Sequence, residues 1–207
     1  MPGFLLAVVL IELTPGPNMG YLAVVGARWG RRAGLATVLG ITCGLTFWML
    51  VAVAGLGEAI LRAPRLYAGL RWAGVVYLLW LAWQTWRGGA TAPPGHAAVP
   101  LPPGRLFVRG LLSNLLNPKA AVFYVALLPG FTNPAWSNPA SQALALGAIH
   151  IAVSVAAHGA IVLAAGRARA LIADWAGGPA RHRLDHAFGL ALALVAAWLA
   201  WETGKAG

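Results

Sequence analysis

The chain has few charged residues and a single cysteine. Only 10% of its 207 residues are charged, whereas 59% are hydrophobic. A water-soluble domain carries charge at roughly a quarter of its residues, so this composition excludes an ordinary soluble surface. The one cysteine, Cys43, excludes an internal disulfide and a relay between two thiols. Because it lies inside an apolar run, we expect it to be a small buried side chain.

Acidic residues are scarcer than basic ones, with five Asp and Glu against fifteen Lys and Arg, which gives a net charge of +10. Such a charge is typical of nucleic-acid binding when the basic residues form one face. Here the arginines lie in short gaps between apolar runs and build no such face. We therefore expect no nucleic-acid partner, and we interpret the arginines as setting the orientation of the chain in membrane lipid.

Six segments are apolar over about 20 residues, the length that crosses the hydrocarbon core of a bilayer. Strand-like alternation is absent from them. The sequence therefore predicts an all-α, polytopic membrane protein with six transmembrane helices. The first segment lacks the basic start and cleavage site of a secretory signal, so we expect it to be a retained span. The six segments are 3–27, 34–57, 66–86, 106–131, 141–166 and 184–201.

A stretch rich in proline and glycine, residues 88–104, is the one gap that looks like a true linker. It divides the chain into residues 1–87 and residues 105–207, each with three spans. Lys and Arg, counted on alternate sides of the spans, lie mostly on the side of this linker. The positive-inside rule then places the linker in the cytoplasm and both termini outside it.

Proline interrupts the first and fourth spans near their centres, in Thr14-Pro15-Gly16-Pro17 and in Asn117-Pro118. Because three spans separate the two breaks, the halves would lie inverted with respect to each other. Paired interruptions in two inverted halves indicate a transporter binding site at the middle of the bilayer. One proline break alone would suggest only a kinked helix.

The two breaks have matching residue types. Thr14 and Asn117 are good helix N-caps, and the proline after each would occupy the first helical position, where a missing N–H costs nothing. The free amides of the new helices suit a substrate carboxylate, and the carbonyls that proline leaves unpaired suit a substrate ammonium. We expect the substrate to contact Thr14, Pro15, Gly16, Pro17, Asn18, Asn114, Asn117, Pro118 and Lys119.

Two charged residues lie close to the breaks, Glu12 before the first and Lys119 within the second. An unpaired charge at this depth costs roughly 2.5 to 3.5 kcal/mol on insertion scales, so both should face the interior of the bundle. We interpret Glu12 as a proton-coupling group and Lys119 as its partner or as the anchor of a substrate carboxylate. A permanent structural ion pair is the alternative.

His150 and His158 lie eight residues apart in the fifth span, close to one face of a helix. They are further candidates for proton coupling, although interior histidines with satisfied hydrogen bonds would give the same pattern. Gly40 and Gly44 are four residues apart, a spacing that permits close helix contact within the bundle or in a homodimer.

Several motifs resemble the LysE/RhtB family of amino-acid exporters. Residues 12–19 read ELTPGPNM, residues 72–78 read WAGVVYL, residues 110–120 read GLLSNLLNPKA and residues 128–131 read LPGF. The similarity runs in order along nearly the whole chain. It implies a six-span exporter in the bacterial plasma membrane that moves amino acids or their derivatives outward, driven by the proton gradient.

Other functions require residues that the sequence does not bring together. A metal or other small-ion exporter of related architecture is the alternative, and it would need clustered ligands where only the two histidines are suitable. An enzyme would need a nucleophile with its base, and no such arrangement stands out. We therefore predict a transporter with no catalytic residues, no metal site and no cofactor.

Overall fold

The computed structural model describes most of the predicted membrane-embedded chain. The described residues are 2–14, 16–55, 63–90, 101–133, 135, 138–173, 186–187, 189–191, 193–194, 196–197 and 200–201. Helix accounts for nearly all of them, and none is in a strand. The all-α prediction is therefore confirmed.

Seven helices have defined bounds. They are α1 (Pro2–Leu13), α2 (Pro17–Trp29), α3 (Arg31–Val53), α4 (Pro64–Ala90), α5 (Pro103–Leu115), α6 (Pro118–Val122) and α7 (Pro139–Ala173). After α6 the chain continues as a π-helical turn, Phe123–Leu127, and then as a 3₁₀ turn, Leu128–Phe131. The described residues between 186 and 201 are helical as well.

These helices are arranged as membrane spans. Arg31–Val53 and Pro139–Ala168 are each long and apolar enough to cross a bilayer. Helices α1 and α2 together form a span bent by 53°, and Pro103–Leu115 with Pro118–Phe131 forms one bent by 54°. The protein is thus a polytopic membrane protein with two broken spans. The number six and the inverted three-helix repeats stay a prediction, because residues 174–185, before the sixth segment, lie outside the described ones.

The predicted linker, residues 88–104, is described only at its two ends. Helix α4 continues to Ala90, and α5 begins at Pro103 after an extended Pro102. Residues 91–100 lie outside the described residues. The division of the chain at this segment therefore remains a prediction.

Helix α3 lies at the centre of the bundle, packed against α5 on one side and α7 on the other. Large side chains from α1, α3 and the turn after α6 fill one core, which includes Phe4, Trp48 and Phe123. Many large apolar side chains instead point outward, among them Leu39 and Trp83. An apolar exterior of this kind matches a lipid surrounding. Cys43 belongs to this exposed face, so the prediction of a buried cysteine was wrong.

Helices α3 and α5 cross with their backbones in direct contact. The α carbon of Gly40 faces the carbonyl of Phe107, and Gly110 in turn faces the carbonyl of Thr37. Only glycine permits this approach, since a β carbon would overlap the opposing oxygen. The close contact predicted for Gly40 and Gly44 is therefore made within the chain, and a homodimer remains a separate prediction.

Gly40→Ala is expected to destabilise the protein, because the added methyl group meets the Phe107 carbonyl and the backbone cannot yield as a flexible side chain would. Overpacking of this kind costs roughly 1 to 3 kcal/mol, or about 2 to 10 °C in melting temperature for a chain of this size. Thermal unfolding of the purified protein in detergent measures it. Gly159→Ala on α7 is the matched control, because nothing lies within 4 Å of its added carbon. Equal melting temperatures for the two variants would contradict the proposed crossing.

Candidate functional site

The two helix breaks meet at the centre of the bundle. The Nζ of Lys119, in the second break, donates a hydrogen bond of 2.7 Å to the carbonyl oxygen of Thr14, in the first. Gly16 lies beside the same side chain, with 3.4 Å between its would-be β carbon and the Lys119 Cδ. The residues predicted at the two breaks are therefore brought together in space.

The first break does not have the cap that the sequence predicted. Helix α2 begins at Pro17 after an extended Gly16, with no side-chain cap, and Thr14 Oγ1 instead bonds back to the Leu10 carbonyl at 2.7 Å. Gly16 precedes a proline, and this position disfavours the helical conformation, so the helix cannot begin before Pro17. Thr14 thus ends α1 rather than starting α2. Pro15 lies outside the described residues.

The second break has the predicted cap. Asn117 Oδ1 accepts a hydrogen bond of 3.0 Å from the Lys119 amide, with Pro118 at the first helical position. This bond uses the Lys119 N–H, which was expected to be free for substrate. The Asn114 carbonyl was also expected to be free, yet it accepts the Asn117 amide at 3.0 Å. The break therefore closes more of its own backbone groups than the sequence indicated.

Glu12 lies between the two histidines of α7. Its Oε1 is 3.2 Å from His150 Nε2, and its Oε2 is 3.9 Å from His158 Nε2. All three side chains are buried. The spacing of eight residues in α7 does place both histidines on one face, and that face is turned toward the carboxylate of α1.

Each histidine is held from behind by a hydroxyl. His150 Nδ1 is 2.9 Å from Tyr124 Oη, and that hydroxyl donates to the Gly147 carbonyl at 3.5 Å. His158 Nδ1 is 3.2 Å from Ser154 Oγ. Phe123 also packs on the His150 ring with 3.9 Å between centroids. The second ring nitrogen of each histidine is thereby oriented toward Glu12, as histidines that carry or relay protons require.

Lys119 and Glu12 do not form the direct ion pair that the sequence suggested. The Lys119 ammonium is on the Thr14 carbonyl, and the Glu12 carboxylate contacts the histidines. The reason is geometric, because α7 lies against α1 and offers nearer partners, which no pattern within the first and fourth spans could reveal.

These groups surround one cavity of about 370 Å³, including its open mouth. Polar side chains dominate a wall that is otherwise formed by apolar residues such as Leu45 and Phe123. Across it Ser113 Oγ donates to Asn18 Oδ1 at 3.0 Å, joining α5 to α2. The polar residues of the wall are Glu12, Asn18, Asn114, Asn117, Lys119, His150, Ser154 and His158.

The sequence reasoning missed Tyr124, Ser154 and Phe123. Ser154 carried a usable signal, since it lies four residues from each histidine and so on the same helical face. Tyr124 and Phe123 carried none, because the π-helical turn that contains them shifts their side chains relative to an ordinary helix. Within the described part of the chain, no group of three or more His, Cys, Asp and Glu is placed to hold a metal ion.

A bent pair of helices meeting another bent pair around a buried polar cavity defines a membrane transporter of the broken-helix class. Comparison with protein-family models gives the same class: residues 9–203 match the LysE type translocator family. The chain belongs to this family. No solved structure matches it.

Curated relatives include proteins of named function. The homoserine/homoserine lactone efflux protein of Salmonella typhimurium (strain LT2) is 34% identical over 198 residues, which cover 95% of this chain and 94% of that protein. The threonine efflux protein of Escherichia coli (strain K12) is 33% identical over 120 residues, covering 56% and 58%. An uncharacterised membrane protein of Vibrio cholerae is 31% identical over 131 residues, covering 63% and 64%.

Proposed function

We propose that this protein exports amino acids or their derivatives from the cytoplasm across the bacterial plasma membrane. The observation that carries the proposal is the cavity between the two helix breaks, where cationic, anionic and amide groups converge in an apolar bundle. An amino acid has the complementary charges within a few ångströms of each other. The names of the Salmonella and Escherichia relatives support the same class of substrate.

The substrate carboxylate is expected to bind Lys119. That ammonium is buried in part and bonded only to a neutral carbonyl, that of Thr14, among the contacts described. A carboxylate is a stronger acceptor than a carbonyl, so it would draw the ammonium toward itself. The first-turn amides of α2, at Asn18 and Met19, add a helix N-terminus to the same region of the cavity.

The substrate ammonium would take the place that Lys119 leaves. Once the Lys119 side chain turns to the carboxylate, the Thr14 carbonyl is an acceptor without its donor. A buried acceptor without a partner is costly, and a substrate ammonium would satisfy it. Binding thus exchanges an internal contact between the breaks for two contacts with substrate.

We further propose that Glu12, His150 and His158 carry the coupled proton. The contact of 3.2 Å between Glu12 Oε1 and His150 Nε2 needs one proton between the two atoms. Loss of that proton would leave a carboxylate against a bare ring nitrogen, which favours a rearrangement of α1 relative to α7. The second histidine, 3.9 Å from the other oxygen, is a receiver for the proton.

Transport would follow from alternating access. Residues 1–87 and residues 105–207, as inverted repeats, would rock around the breaks so that the cavity opens first to the cytoplasm and then outward. The bends of 53° and 54° give each half the same kind of hinge at the cavity. The arginine-rich loops support placing both termini outside the cytoplasm.

Export of a metal or other small ion is the competing function. Its support is limited to the two histidines and one carboxylate, and these are engaged with hydroxyl groups and with each other. The described residues offer no metal-holding group. The amino-acid proposal accounts for Lys119, which a cation site would exclude.

Efflux from proteoliposomes loaded with a mixture of amino acids tests the proposal. We expect a few amino acids to leave selectively, and faster when a pH gradient is imposed, with the internal and external pools read by mass spectrometry. Protein-free vesicles are the control. Release that ignores the pH gradient would contradict the coupling while keeping export, and release of no amino acid would contradict export itself.

A further inference from the structure

The side chain of Asn114 is the unexplained polar group of the cavity wall. It is fully buried, at 0% exposure, and neither Oδ1 nor Nδ2 has a hydrogen-bond partner within the described part of the protein. A buried amide without partners is rare and calls for an explanation such as a ligand. Asn114 lines the same cavity as Glu12 and Lys119.

Neighbouring residues hold Asn114 in place without satisfying it. Gly44 of α3 lies so close that a β carbon there would be 2.8 Å from the Asn114 Oδ1. On its chain neighbour, the Ser113 hydroxyl bonds to Asn18 instead. The amide is therefore packed by a glycine that contributes no polar side chain, on the wall of a cavity that has room for a small molecule.

The two free atoms are one donor and one acceptor on the same planar group. A hydroxyl complements both, because it donates to Oδ1 and accepts from Nδ2. A methyl group in the same place would leave both atoms unpaired. Resting on the proposed function, we infer that Asn114 selects the substrate side chain, and that the preferred substrates are small amino acids with a hydroxyl group.

Two pairs of amino acids of similar size test this inference. Homoserine and norvaline differ by a hydroxyl in place of a methyl group, and so do threonine and valine. In proteoliposome counterflow, the wild type is expected to prefer the hydroxyl member of at least one pair by about tenfold or more, since sites built to bond a hydroxyl reject analogues that lack it. Asn114→Leu, which is similar in size and apolar, should reduce that preference to about twofold or less.

Controls separate the possible outcomes. Cys43→Leu changes an exposed residue of α3 and should leave the preference as in the wild type. Where Asn114→Leu does not fold, Asn114→Asp replaces the donor by an acceptor, and a preference unchanged in that variant overturns the inference. Transport of norvaline and valine at the same rate as their hydroxyl partners also overturns it while leaving amino-acid export intact. Failure of all four amino acids, together with failure of the loaded mixture, would instead remove the proposed function.

Discussion

Glu12→Gln is expected to abolish efflux driven by a pH gradient, while exchange of substrate across the vesicle membrane continues. Glutamine keeps the size of the side chain and can still bond to His150, but it cannot release a proton. Ionisable groups inside a membrane mark proton pathways, and Glu12 lies 3.2 Å and 3.9 Å from its two histidines. The measurement compares gradient-driven efflux with counterflow at equal pH on both sides.

The two readouts separate coupling from folding. Counterflow needs no net proton movement, so its survival shows an intact substrate site. Removing a buried charge should also leave the melting temperature equal or higher, because the cost of burying the carboxylate disappears. Glu202→Gln makes the same chemical change outside the described residues and serves as the control. Gradient-driven efflux at the wild-type rate in Glu12→Gln would rule out a coupling role for this carboxylate.

Lys119→Met is expected to weaken transport of homoserine by roughly 10- to 100-fold, the value of a hydrogen bond to a charged group of about 1.5 to 3 kcal/mol. Methionine retains much of the length of the side chain and removes the ammonium. Homoserine lactone has no free carboxylate, so its transport should change far less. The concentration dependence of efflux of both compounds, measured on the same preparation, gives the comparison.

The paired substrates distinguish two roles of Lys119. As the anchor of the carboxylate, it matters for homoserine and little for the lactone. As a structural link between the breaks, through the Thr14 carbonyl at 2.7 Å, it would matter equally for both. An equal loss would therefore refute the anchor. Lys119→Arg keeps the charge and should retain part of the homoserine transport, limited by the narrow space beside Gly16.

The prediction of the fold from the sequence succeeded where one chemical property decided the result. The lack of charge and the length of the apolar runs require helices in lipid. Proline in the middle of two of these runs requires the breaks, and both appear as bends, of 53° and 54°. Asn117 caps its helix as predicted, because capping depends only on neighbouring residues.

The details of the site failed where several local preferences competed. Thr14 was expected to cap α2, but the proline that follows Gly16 excludes that start, and the hydroxyl closes α1 instead. The carbonyl of Asn114 was expected to be free and is bonded to Asn117. In each case the sequence showed which groups were available, without showing which partner lay nearest.

Partners on different helices were beyond the sequence altogether. Nothing in the pattern around Glu12 indicates that its nearest cation lies on the fifth predicted span rather than the fourth. The same holds for the Gly44 contact with Asn114, which leaves a buried amide facing the cavity. The search for substrate contacts had named Asn114 for its carbonyl, whereas the structure directs attention to its side chain.

The sequence by itself determined the solvent of this protein, the helices, the two breaks and the family, because each depends on composition or on residues adjacent in the chain. The tertiary structure decided that Glu12 lies between His150 and His158 and that Lys119 reaches Thr14. Those contacts join residues more than 100 positions apart. Only the packing of α1 on α7 and the meeting of the two bends set their distances, and distances of this kind decide where a substrate and a proton bind.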